Sequence, residues 1–184
     1  MYWFEIVGAI LSLIYLYLSI KQKASLWIFG FIASAMYIVV FYQSKFYADM
    51  SLQFYYLVIS IYGWIYWKEN EYKPENEKHI TTTPKRTWMF LVLFGVLIYL
   101  IYYIILDKFT DSTIPKSDSL VGMLSVIGTW MLAKKYIENW LIWIIADGIA
   151  CGLFFYKELY VTAFLFVIYT AMAVVGYRKW KQNI

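Results

Sequence analysis

The chain has 184 residues, sixteen Lys and Arg against twelve Asp and Glu, a net charge of +4, and it is 62% hydrophobic and 22% aromatic with a mean hydropathy of +0.60. Water-soluble domains average about 45–50% apolar residues, so the composition falls outside the globular class and indicates an integral membrane protein. Lone Cys151 cannot form an intrachain disulfide and lone His79 cannot organise a metal cluster, so no metal or other cofactor is expected.

Apolar blocks recur along the chain. The first, residues 2–20, opens without a basic n-region or a small-residue cleavage pattern, so it is expected to stay in the mature protein. Glu5 in its first turn suits the positive end of a helix dipole. The second and third blocks cover residues 26–42 and 50–67. In the third, Gln53, Tyr56 and Ser60 form a polar stripe, with Gly63, Trp64 and Trp67 at its end, and Gln53 is too polar to face lipid comfortably. Residues 68–87, KENEYKPENEKHITTTPKRT, have balanced charge and two prolines and read as a flexible cytoplasmic tether.

The fourth block spans 88–106, and FTDSTIPKSD, residues 109–118, follows as an outside loop whose Asp118 suits the first turn of the next helix. The fifth block, 120–133, is the shortest, so it is expected to extend through Asp118 and Ser119 or to lean on its neighbours. Blocks 140–156 and 160–177 complete the set. A helix needs roughly 17–25 apolar residues to cross a hydrocarbon core of about 30 Å, so seven transmembrane helices are predicted.

Seven spans put the termini on opposite sides. Lys21, Lys23, Lys68, Lys73, Lys78, Lys85, Arg86, Lys134, Lys135, Arg178, Lys179 and Lys181 share the C-terminal side, against Lys45, Lys108, Lys116 and Lys157 on the other. The positive-inside rule then places the C-terminus in the cytoplasm and the N-terminus outside. The same rule accounts for the basic residues, whose spacing does not call for nucleic acid.

Residues 8–68 match 121–181 without a gap at an offset of 113. The pairs include Ser12/Ser125, Lys21/Lys134, Trp27/Trp140, Tyr56/Tyr169, Gly63/Gly176, Trp67/Trp180 and Lys68/Lys181, and the Lys, Trp and Gly pairs weigh most because apolar residues match cheaply. After three crossings the chain needs one extra helix before it can begin a similarly oriented unit. The fold class is therefore an all-α integral membrane protein: two parallel three-helix repeats, 1–67 and 118–184, joined by the connector 68–87, a linker helix 88–106 and a loop 107–117. Secondary transporters use such repeats and bind solute between them near the bilayer midplane.

Asp147 lies at the middle of its block, where an ionised carboxylate is expensive, and no Lys or Arg occurs within any block to pair with it. Hydrogen bonds from neighbouring helices would make it structural; a cavity would make it functional, as intramembrane acids usually are. Trp140, Trp143 and Asp147 share one helix face. Trp27, Trp67, Trp88 and Trp180, at span ends, are expected to anchor the interfacial belt, and Trp143 lies one turn deeper than such anchors. A site with one acid, aromatic faces and a few amides or hydroxyls suits a flat cation bearing hydroxyls.

The strings ENWLIWIIAD (138–147), QFYYLVISIYGWIYW (53–67) and FTDSTIPKSD (109–118) resemble the PnuC family of bacterial vitamin transporters, and the likeness covers nearly the whole chain. The resemblance implies facilitated diffusion of an unphosphorylated vitamin precursor, typically nicotinamide riboside, across the bacterial inner membrane, with a cytoplasmic kinase that traps it. It also implies a fold similar to the SWEET sugar facilitators, with Asn139, Trp140, Trp143, Gln53 and Tyr56 on or near the solute path; Asp147 and Ser60 join them from the residue pattern above. Thr129 stands where many nicotinamide riboside carriers have Gln. The thiamine-carrying PnuT branch is similar throughout, so thiamine is the alternative solute.

No GxxxxGK[ST] loop occurs, so direct ATP coupling is not expected. A membrane-embedded enzyme would need convergent nucleophile, base or metal ligands at one depth, which one loop His and one mid-span acid do not supply. A binding or sensory membrane protein is the remaining rival class. The partners expected are the solute and membrane lipid.

Overall fold

The computed structural model describes the backbone of residues 2–43, 47–72 and 79–184 and the side chains of 7–43, 50–68 and 79–184, so the expected role of the Glu5 side chain lies outside the described residues. These residues form seven helices: α1 (Tyr2–Ile20), α2 (Leu26–Gln43), α3 (Tyr47–Tyr72), α4 (Lys85–Phe109), α5 (Pro115–Ala133), α6 (Asn139–Tyr156) and α7 (Tyr160–Lys181). Each grows from one apolar block. The short fifth block extends back to Pro115, whose ring fixes the backbone for a first helical turn. Asp118 sits in that turn, as expected, and accepts a hydrogen bond from Ser112 Oγ at 2.8 Å and an ion pair from Lys157 at 3.3 Å.

Three helices stop on a residue in the left-handed region without using glycine: Gln22 (φ 55°), Lys135 (φ 58°) and Glu158 (φ 60°). In each, the next amide reaches back into the last turn, Lys23 N to Leu18 O at 3.0 Å, Tyr136 N to Met131 O at 2.9 Å and Leu159 N to Phe154 O at 2.9 Å, which closes a Schellman motif. Gln22 and Lys135 are related by the same 113-residue offset as the sequence repeat.

Among the described residues four helices, α2, α4, α6 and α7, are long and apolar enough to cross a membrane, and the apolar stretch of α1, Val7–Ile20, is shorter. α4 buries Leu91, Gly95 and Leu106 and turns most of its other large apolar side chains outward, as a helix facing hydrocarbon does. α5 is its opposite: ten of its 19 residues are buried, so it leans on neighbours rather than on lipid.

α1 packs on α2 and α2 on α3; α5 packs on α6 and α6 on α7; the two sets meet through α1 against α7 and α3 against α5. The offset converts each of these contacts into another of the set. α4 falls outside that exchange and packs on α5, with a lesser contact to α3.

The largest core cluster lies at the end of the bundle that carries Lys21, Lys68, Lys134 and Lys181, and four tryptophans form its centre. Trp27, Trp67 and Trp180 are not belt anchors: they are 1%, 2% and 0% exposed, which removes them from the interface. Rings run Trp27–Trp67 (5.7 Å), Trp67–Trp180 (6.3 Å) and Trp180–Trp140 (5.5 Å). Trp67 Nε1 donates to Ala133 O at 2.9 Å and Trp180 Nε1 to Ser19 O at 3.2 Å, so the third helix of each set bonds the end of the first helix of the other. Glycine makes room for the rings: Trp27 lies against Gly63, and a Cβ at Gly176 would stand 2.6 Å from the Trp140 ring.

The connector also departs from expectation. Residues 68–72 prolong α3, and 79–84 are docked rather than loose. Ile80 is 4% exposed, Thr81 forms a parallel bridge with Tyr136, and Thr83 donates from its amide (2.9 Å) and hydroxyl (2.7 Å) to Glu138 Oε2. Polar composition had concealed one buried isoleucine and a carboxylate able to satisfy two donors. Residues 73–78 lie outside the described residues.

Candidate functional site

α6 begins at Asn139 beside the tryptophan cluster, and Asp147 lies about 12 Å along it at 1.5 Å per residue, near its middle. Trp143 and Asp147 follow Trp140 at intervals of three and four and Asn139 at intervals of four, so adjacent Asn139 and Trp140 flank one stripe down the helix. They line a cavity of about 130 Å³ together with Ser12, Tyr15, Leu16 and Ser19 of α1, Leu132 of α5 and Tyr169 of α7. One water needs about 10–15 Å³ by this measure, and an apolar cavity of about 150 Å³ admits a benzene-sized ring.

The cavity wall holds polar atoms without partners. Asn139 Nδ2 donates to Tyr136 O at 2.6 Å, but its Oδ1 is buried with no hydrogen bond, and so is Trp140 Nε1. Buried polar atoms in a native fold are nearly always satisfied; Trp27 Nε1, away from this cavity, is unpartnered in the same way as its repeat mate Trp140. Asp147 is 8% exposed and makes no hydrogen bond or ion pair with another described residue. Its carboxylate lines the aromatic cavity, and no described residue supplies a countercharge.

Two hydroxyl pairs bridge the halves at this level. The hydroxyls of Tyr169 and Ser12, and those of Tyr56 and Ser125, approach each other across the halves, and the 113-residue offset maps one pair onto the other. Tyr169 and Ser12 line the cavity; their mates do not.

The structure thus gathers Asn139, Trp140, Trp143 and Asp147 on one wall. Tyr56 lies behind it, within electrostatic reach of Asp147, and Ser60 is buried against Gly30, where an added Cβ would stand 3.1 Å from its Oγ. Half-buried Gln53 does not line the cavity. Sequence reasoning overlooked Ser12, Tyr15, Leu16, Ser19, Leu132 and Tyr169. Ser12 and Tyr169 carried a usable signal, each having an identical partner in the repeat, whereas Tyr15, Leu16 and Leu132 are indistinguishable from other apolar-block residues.

The profile of the nicotinamide mononucleotide transporter family matches residues 2–182. The nicotinamide riboside transporter PnuC of Escherichia coli is 27% identical over 202 residues, covering 97% of this chain and 84% of that protein. The riboflavin/roseoflavin transporter RibM of Streptomyces davaonensis is 24% identical over 183 residues, with 97% and 84% covered. A crystal structure of the vitamin B3 transporter PnuC superposes with a TM-score of 0.74 at 22% identity, covering 98% of this chain and 81% of that one.

Proposed function

The chain belongs to the nicotinamide mononucleotide transporter family, one of multi-pass membrane transporters rather than enzymes, and from that premise we propose that it imports nicotinamide riboside through the cavity between its two halves. The observation that carries the solute class is Asp147, a mid-helix carboxylate with no described partner in an aromatic cavity. A fixed pyridinium would supply the missing countercharge. Cation–π attraction to the indoles of Trp140 and Trp143 adds about 0.5–2 kcal/mol. Trp140 Nε1 and Asn139 Oδ1, each buried here without a hydrogen bond, serve a carboxamide or ribose hydroxyl once the wall opens. Gln53, Tyr56 and Ser60, which do not line the cavity, are residues the solute meets when the halves move.

Transport on this reading is facilitated diffusion across the bacterial inner membrane by alternating access. The two three-helix repeats rock about the cavity, all seven helices span the bilayer with the N-terminus outside and the C-terminus in the cytoplasm, and a cytoplasmic kinase traps the solute. The symmetric exchange of helix contacts and the basic residues at one end support this arrangement. Thiamine is the second reading, because the same unpaired carboxylate serves any flat aromatic cation with a hydroxyl.

Binding of nicotinamide riboside, thiamine and riboflavin, measured side by side on purified protein, tests the solute. Nicotinamide riboside should bind tightest; a thiamine preference moves the assignment to the second reading, and equal affinity for neutral riboflavin defeats the cation argument. Counterflow of labelled solute into proteoliposomes separates transport from binding alone, since a receptor would show saturable binding without exchange.

A further inference from the structure

We propose that Tyr15 sets the width of solute ring the cavity accepts, as the wall that the first half contributes against Trp143 of the second; the inference rests on the transport reading above. Both rings line the cavity, one from α1 and one from α6. Each lies on a glycine of the adjacent helix in its own half. A Cβ at Gly30 of α2 would stand 3.0 Å from Tyr15 Cε2, and a Cβ at Gly128 of α5 would stand 3.1 Å from Trp143 Cε2. The repeat offset relates Tyr15 to Gly128 and Gly30 to Trp143, so ring and glycine have changed places between the halves. The repeat thereby seats one of these two rings in the cavity from each half.

Tyr15 is backed on two sides. Tyr15 meets Trp27 behind it edge to face, 6.2 Å between centroids at 84°, and Gly30 closes the remaining side. Close-packed interiors do not yield by an ångström without cost, so the spacing is fixed by the seats as well as by the rings. A cavity of about 130 Å³ then suits one aromatic ring and not three fused ones. Relatives named for a one-ring and a three-ring solute share this scaffold, so ring width must be set locally. Tyr15 is the ring that α1 adds to the wall, and it can change without removing the α6 face that carries Asp147.

The test is equilibrium binding of nicotinamide riboside and riboflavin to the purified full-length chain and its variants. Tyr15→Ala should shift the affinity ratio at least about tenfold toward riboflavin, the scale on which pocket shape discriminates apolar groups. Tyr15→Phe keeps the ring and should hold the ratio within about twofold. Gly30→Ala should press the Tyr15 ring by a few tenths of an ångström and weaken nicotinamide riboside binding, and Tyr15→Ala added to it should recover part of the loss, a non-additivity expected of touching residues. Should Tyr15→Ala not purify as a monodisperse protein, Tyr15→Leu supplies that arm. An unshifted ratio in a folded Tyr15 variant, or unchanged affinity in Gly30→Ala, overturns the proposal while wild-type binding of nicotinamide riboside leaves the transport reading standing. Wild-type protein that binds no nicotinamide riboside overturns that reading instead.

Discussion

Asp147 is more expensive to bury than any other side chain on the cavity wall, and what it contributes to folding should run opposite to what it contributes to binding. An acid at mid-membrane costs about 2.5–3.5 kcal/mol on insertion scales, and no described residue offsets that charge. Asp147→Asn should therefore leave the thermal midpoint unchanged or raise it, while affinity for nicotinamide riboside falls roughly tenfold or more and affinity for a neutral riboside does not. A structural carboxylate would give the reverse, with lower stability and all solutes affected alike. Trp143→Ala should cost several-fold more affinity than Trp88→Ala, because Trp143 lines the cavity and Trp88 packs partly buried against Leu91, Ile127 and Met131. Both of these α6 residues were legible in the sequence, since a lone acid and helix-face tryptophans stand out in an apolar run. Trp27, Trp67 and Trp180 were misread for a physical reason. A tryptophan at the end of an apolar block has the same local signature whether it meets lipid headgroups or a glycine on another helix, and the glycine is remote in sequence.

Helix positions followed from apolar block length, but helix endings did not, because glycine is the usual marker and Gln22, Lys135 and Glu158 take its place. The docking of Ile80 and Thr83 on the α5–α6 turn was hidden in a segment whose average composition is polar. Glycines inside helices were more informative than those at ends. Gly63 and Gly176 occupy matching positions in α3 and α7, each beneath an indole that an added methyl would strike. Overpacking of this kind costs about 1–3 kcal/mol. Gly63→Ala and Gly176→Ala should lower the thermal midpoint by similar amounts, yet Gly176→Ala alone should reduce solute binding sharply, because it displaces Trp140 from the cavity wall whereas Trp27 is not part of it. Parallel binding losses in thermal-shift and binding assays of the two variants would mean that the cavity is not confined to the α6 side.

The whole molecule is held together at its basic end by bonds that cross between the halves. Trp67 of α3 donates to Ala133 at the end of α5, and Trp180 of α7 donates to Ser19 near the end of α1, with the two indoles in contact between them. Because the cavity reaches Ser19, Leu132, Asn139 and Trp140, this crossed pair lies between it and the cytoplasmic side on the proposed topology. Rocking of the halves, on the proposed mechanism, must part both bonds to open this end. Trp67→Phe and Trp180→Phe keep an aromatic ring but remove the N–H, a loss of about 0.5–1.5 kcal/mol for each hydrogen bond. Each variant should be slightly less stable yet exchange labelled solute faster in counterflow, if release toward the cytoplasm limits the rate. The double variant should combine the two effects beyond a simple sum, because the second bond continues to hold the end closed when the first is gone. Exchange that slows in both single variants would place the limiting step at the opposite mouth and make the crossed indoles a fixed hinge about which the halves turn.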